Sequence, residues 1–154
     1  MYQKIPTWDE LPDLDLYLDQ VLLMVNQLTY SDQTKSDKGL TSSMVNNYVK
    51  HGHIAKPIKK KYQKQQVARL IAITFLKTVF SIQEISQTLN VLHKIYPSNQ
   101  LYDDFVACMN DQEEGQVHEL VETACQSVKL YFKARRLTYI LEGEQSDVSD
   151  AKTQ

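Results

Sequence analysis

Apolar residues recur at helical spacing in six stretches of this chain, and the breaks between those stretches set the elements. Leu14, Leu18, Val21, Leu22, Val25 and Leu28 form the first stripe. Pro12, Asp13 and Asp15 lie near its start, where a helix tolerates proline and its positive end favours aspartate. Residues 30–39 have turn composition and no period, which predicts a loop. Thr41 is positioned to cap a second, short helix with Met44, Val45, Tyr48 and Val49 on one side and Gly52 as its left-handed closing residue. The other side of that helix carries Ser43, Asn46, Asn47 and Lys50. Between Gly52 and Tyr62, Pro57 and alternating apolar positions predict an extended excursion or small hairpin.

From Gln63 to about Phe80 the positions Val67, Leu70, Ile71, Ile73, Thr74, Leu76 and Val79 make a helix that is apolar over a wide face, as a central core element requires. Ser81 and Glu84 have capping-box spacing, and Ile82, Ile85, Leu89, Leu92 and Ile95 continue a fourth helix that Pro97 stops. Leu101, Tyr102, Phe105, Val106 and Met109 define a fifth helix. Val117, Leu120, Val121, Ala124, Val128, Tyr131 and Phe132 define a sixth, with Gly115 separating the two. The segment from Glu142 has almost no apolar content and is expected to be a mobile tail.

Composition agrees with this pattern: apolar residues make up 42% of the 154 positions, with four glycines and four prolines, so the expected fold class is all-α. The expected organisation is an N-terminal arm plus a first helical domain over 1–96, a C-terminal helical region over 97–141 and an acidic tail over 142–154. The opening MYQKIPTW lacks the apolar core of a signal peptide, and the run LIAITFL at 70–76 is too short to span a membrane. Cys108 and Cys125 belong to no CxxC or Cys/His cluster, so reduced, buried thiols in a cytoplasmic protein are expected. No nucleophile elbow, phosphate loop, dinucleotide fingerprint or HExxH occurs, and neither an enzyme nor a cofactor is expected.

Charge changes the picture most. From Lys38 to Gln83, 46 residues contain no aspartate or glutamate but nine lysines and arginines, a separation that the net charge of -2 conceals. A local positive field of this kind suits a polyanion.

A helix, a polar-faced helix, a basic excursion, a long helix and a serine-capped helix follow one another in the order of a winged helix-turn-helix. In that arrangement a recognition helix reads base edges while a wing lies on phosphates. Residues 41–51 are the expected recognition helix, in which Asn46 and Asn47 suit adenine edges, Ser43 and Lys50 suit bases or backbone, and His51 suits a phosphate. Residues 55–64 are the expected wing, whose Lys56, Lys59, Lys60, Lys61 and Lys64 suit phosphates. The run MVNNYVKHGHI, then YQKQQVARLIAI, then FSIQEI resembles the DNA-binding part of MerR-type regulators through Tyr48, Gly52, Ile54, Tyr62, Val67, Leu70, Ile73, Phe80, Ser81, Ile82, Glu84 and Ile85. WDELPDLDLYLDQV with LTSSMVNNYVKHGHIAKPIKKKY is more closely similar to a bacterial family catalogued as a domain of unknown function. The MerR resemblance implies a double-stranded DNA partner and a homodimer through the C-terminal helices. The chain departs from that pattern in its long loop at 30–39, its lysines where the wing usually has arginine, and the missing glycine before Phe80.

Other readings stand beside these. The same basic face fits an adaptor that reuses the helix-turn-helix fold to hold an acidic protein. His51 and His53 form an HxH pair without the further ligands that a metal site needs. Trp8 is an anchor for the N-terminal arm or part of a ligand pocket, and Tyr102, Phe105, Tyr131, Phe132 and Tyr139 are core, dimer seam or effector cavity.

Overall fold

The computed structural model describes residues 3–29, 39–112 and 116–153, with side chains as far as Gln145. Most of the described residues are helical, in α1 (Leu18–Thr29), α2 (Ser42–Lys50), α3 (Lys64–Leu76), α4 (Ile82–His93), α5 (Ser98–Met109) and α6 (Glu119–Thr153). Two short strands, β1 (Leu16–Tyr17) and β2 (Lys61–Tyr62), pair antiparallel with Leu16 opposite Tyr62 and Tyr17 opposite Lys61.

Helix α3 is the axis of the core. It buries Val67, Ala68, Leu70, Ile71, Ala72, Ile73, Phe75 and Leu76, a spread wider than one stripe, because α1, α4, α5 and α6 all pack on it. It ends at Leu76 and not near Phe80: Thr78 Oγ1 turns back to the Phe75 carbonyl at 2.8 Å, and Val79, expected on the apolar face, is exposed. The turn frees Ser81 to adopt the extended backbone of a cap. Ser81 Oγ accepts from Glu84 N at 3.2 Å while Glu84 Oε1 accepts from Ser81 N at 3.0 Å, so α4 starts at the predicted capping box. Helix α4 closes at His93, and Ile95, placed on its stripe by spacing, is 59% exposed.

The first helix begins later than its stripe predicts. Pro12, Asp13 and Asp15 precede it, Leu14 is 77% exposed, and Leu16 and Tyr17 are drawn into the strand pairing with β2. A non-local ladder has displaced the first turn of a local pattern. Within the predicted loop at 30–39 only Gly39 is described, and Lys38 and Gly115 also lie outside the described residues. Gly39 has φ +67, and a Cβ there would sit 2.5 Å from Asn26 Oδ1. That oxygen accepts from Leu40 N at 2.8 Å while Asn26 Nδ2 donates to the Leu40 carbonyl at 2.9 Å, so α1 grips the chain as it enters α2.

The N-terminal arm packs on α5. Trp8 N donates to Asp103 Oδ1 at 2.8 Å, the Trp8 and Tyr102 rings meet edge to face, and Tyr102 Oη donates to the Pro6 carbonyl at 2.8 Å. Asn110 bonds both backbone groups of Ile5, at 3.0 and 2.9 Å. Trp8 thus anchors the arm as one of its two predicted roles requires. Helix α6 buries Val121, Cys125 and Val128 against the core and then continues to Thr153, past Glu142 where a tail was expected. No proline interrupts the backbone hydrogen bonds of α6, so its sequence sets no stop at Glu142. Among the described residues, no helix is long and apolar enough to cross a membrane.

Candidate nucleic-acid interface

Helix α2 is closed at both ends by its own residues. Thr41 Oγ1 accepts from Met44 N at 3.2 Å. At the other end His53 N donates to the Tyr48 carbonyl at 2.8 Å and Gly52 N to the Val49 carbonyl at 3.1 Å, the paired bonds of a Schellman motif with Gly52 at φ +77. The Tyr48 and His53 rings meet edge to face across that turn. Val45 and Tyr48 face the core, and Ser43, Asn46, Asn47 and Lys50 are all exposed, as is His51 at the C-cap. The polar face predicted from spacing therefore lies open to solvent.

The excursion after α2 is a tight hairpin. Ile58 and Lys61 exchange both backbone hydrogen bonds, at 3.0 and 2.9 Å, around Lys59 at φ +52 and Lys60 at φ +67. Left-handed conformation at both central residues is a turn that suits Asn-Gly, and lysine takes it at a cost of about 1 kcal/mol or more per residue. The two side chains at this tip are exposed, as is Lys56.

The remaining wing lysines are engaged within the molecule. Lys61 Nζ lies 5.1 Å from the centroid of the Tyr17 ring. Lys64 Nζ pairs with Asp13 Oδ1 at 2.7 Å and sits 5.8 Å from the Trp8 ring, leaving its side chain 19% exposed. That lysine holds the Asp13 carboxyl below its ordinary pKa.

Three polar residues behind the hairpin, none of them a predicted contact, fix its position. Gln66 is buried, and its Nε2 donates to the carbonyls of Ala55 at 2.7 Å and Lys56 at 3.0 Å, while its Oε1 accepts from Gln63 N at 2.6 Å. Arg69 Nε donates to the His53 carbonyl at 2.7 Å, and one of its terminal nitrogens lies 3.4 Å from Asn90 Oδ1. His53 Nδ1 and Ser86 Oγ share a hydrogen bond of 2.6 Å. The available signal was a glutamine and an arginine set among the apolar positions of a core helix, where a polar group must find partners. Burial lowers the Arg69 pKa, and burial with the charges of His51 and Arg69 lowers that of His53. Lys77 Nζ lies 5.6 Å from the ring centroid of Tyr48, whose buried hydroxyl has no hydrogen-bond partner among the described residues.

His51 and His53 are 6.3 Å apart between ring centroids, and no group of three or more metal-capable side chains occurs among the described residues. Cys108 and Cys125 are both buried. Of the five aromatics with alternative roles, Tyr102 and Phe105 are buried, Phe132 packs against the core and Tyr139 is exposed.

Fold and surface together define a mostly helical protein that presents a doubly capped short helix and a basic hairpin within an acid-free stretch. The chain belongs to the family described as domain of unknown function 1836 (DUF1836), which matches residues 6–105. That span takes in the arm, both strands, α1 to α4 and most of α5, and it stops short of α6. No curated protein and no solved structure matches the chain.

Proposed function

We propose that this protein is a winged helix-turn-helix regulator that binds double-stranded DNA in a sequence-specific way, with α2 as recognition helix and the hairpin of residues 55–64 as wing. The observation that carries the reading is the sequence of a capped helix with an exposed Ser43, Asn46, Asn47 and Lys50 face and a hairpin tip holding Lys59 and Lys60 in strained backbone. Asparagine bonds an adenine edge at two atoms, and lysine meets phosphate oxygens, so the two elements supply the base-reading and positioning contacts that duplex recognition requires. Lysines in conformations that favour asparagine and glycine support a role for their side chains beyond turn formation.

The similarity to MerR-type regulators supports the same reading and adds a dimer. Leu130, Leu137 and Leu141 are exposed at helical spacing on α6, a seam on which a second copy would bury apolar surface. Two such copies would read two half-sites in the cytoplasm, where the DNA is.

Selection of bound sequences from a random duplex pool tests the proposal. An enriched motif made of two related half-sites is the expected result. If no motif is enriched while an acidic protein is retained, the basic face serves an adaptor and the regulator reading fails.

A further inference from the structure

A cleft of about 450 Å³ runs along α3 between the base of the hairpin, α4, α5 and the start of α6. Its apolar wall includes Ala68, Ala72, Leu89, Leu101, Phe105 and Val121. Basic side chains line it, His53, Lys56, Arg69 and His93, and neither aspartate nor glutamate does. A volume of this size with an apolar body and a few convergent polar groups suits a small organic ligand, for which sites of roughly 300–1,000 Å³ are usual.

Arg69 gives the cleft its chemistry. The residue is half-buried, forms no ion pair with a described carboxylate, and commits one N–H firmly to the His53 carbonyl and another to a long 3.4 Å contact with Asn90. Among the described residues the rest of the guanidinium fork makes no hydrogen bond, and a cation drawn out of water without a counter-ion favours an anion beside it. We propose that the cleft binds a small amphiphilic carboxylate, its apolar body along Ala68, Ala72, Leu89 and Phe105 and its carboxylate on the Arg69 guanidinium. Burial and the charge of Arg69 also hold the His53 and His93 imidazoles below their ordinary pKa, and a bound carboxylate would relieve that repulsion.

The ligand would touch what fixes the hairpin. Arg69 holds the residue that follows the closing turn of α2, and Gln66, also in the cleft, holds Ala55 and Lys56. Occupancy should therefore slow hydrogen exchange at the Ile58 and Lys61 amides. Ligand binding in this cleft is a property of the protein alone and does not depend on any DNA contact.

The test is calorimetric titration of the full chain with decanoate and, separately, decanol. Decanoate is expected to bind at least about ten-fold more tightly, the equivalent of about 1.4 kcal/mol. Arg69→Gln should abolish that preference, and Ala124→Phe, which fills the cleft from α6, should weaken both probes. Should Arg69→Gln lose its helical circular dichroism, the acid-to-alcohol ratio in the native chain and the Ala124→Phe result decide the matter. Equal binding of the two probes, binding of neither, or decanoate binding that survives Ala124→Phe would overturn the proposal. So would probe binding that vanishes as protein concentration rises, which would assign the cleft to a second copy.

Discussion

Gln66 Nε2 donates to the carbonyl of Ala55 at 2.7 Å, joining the first turn of the buried core helix to the segment that leads into the hairpin. The same amide reaches Lys56, and its oxygen accepts from Gln63, so one side chain satisfies three backbone groups. Gln66→Leu keeps the volume and strands those groups. An unsatisfied buried group costs about 1–3 kcal/mol, and the variant is expected to lose stability in that range by urea denaturation. Faster hydrogen exchange at Lys61 with α6 unaffected would show that the loss is centred on the hairpin, and uniform exchange would refute the role assigned to Gln66.

Turn chemistry at the hairpin tip separates folding from binding. Lys59→Asn with Lys60→Gly replaces two strained residues by those the backbone favours, and should raise stability by up to about 1 kcal/mol per position. The same change removes two exposed cations, so duplex affinity should fall while the melting temperature rises. A variant that is more stable and binds DNA as the native chain does would remove the tip from the interface.

The parts that were legible in the sequence are those whose partners lie within one turn. Thr41 with Met44 and Ser81 with Glu84 are bonded three residues apart, so spacing alone finds both caps. The exposed face of α2 follows from the same periodicity. Gln66 reaches back to Ala55, Arg69 to His53, and Asn26 forward to Leu40, and no local pattern names such partners. The start of α1 is not legible for a related reason: a strand of two residues has no period to detect, and its partner β2 lies far along the chain. Lys64 reads as a wing cation because its charge is visible in the sequence, while Asp13, 51 residues away, is not visibly its partner.

Stability should depend on pH through His53 and His93. Both imidazoles have folded pKa values below the ordinary one, His53 through burial and the charges of His51 and Arg69, His93 through burial and Arg69 against an opposing bond from Tyr96. A depressed folded value means that the unfolded chain takes up the proton first, so stability is full above about pH 6.5 and is lost as pH falls through the folded values. Melting temperature is expected to decline between pH 7.5 and 5.5, and His53→Gln with His93→Gln should flatten that decline. A decline of unchanged slope in the double variant would place its origin elsewhere.

The ion pair of Lys64 with Asp13 sets how many cations remain for DNA. Lys50, Lys56, Lys59 and Lys60 are exposed and pair with no described carboxylate, whereas Lys64 is held by Asp13 and Trp8 and Lys61 lies on Tyr17. Four neutralised phosphates correspond to a slope of log affinity against log salt of magnitude roughly 3.6, and not the roughly 5.4 expected if Lys61 and Lys64 took part as well. Lys64→Ala should therefore leave the slope almost unchanged, and Lys59→Ala should reduce it by about 0.9. Asp13→Asn tests the same point from the other side, since a released Lys64 can swing onto a phosphate and raise the slope by about 0.9. Fluorescence anisotropy with one labelled duplex across a salt series reads all four proteins. If Lys64→Ala and Lys59→Ala lower the slope equally, the lysine leaves Asp13 on binding and the wing is wider than its free structure.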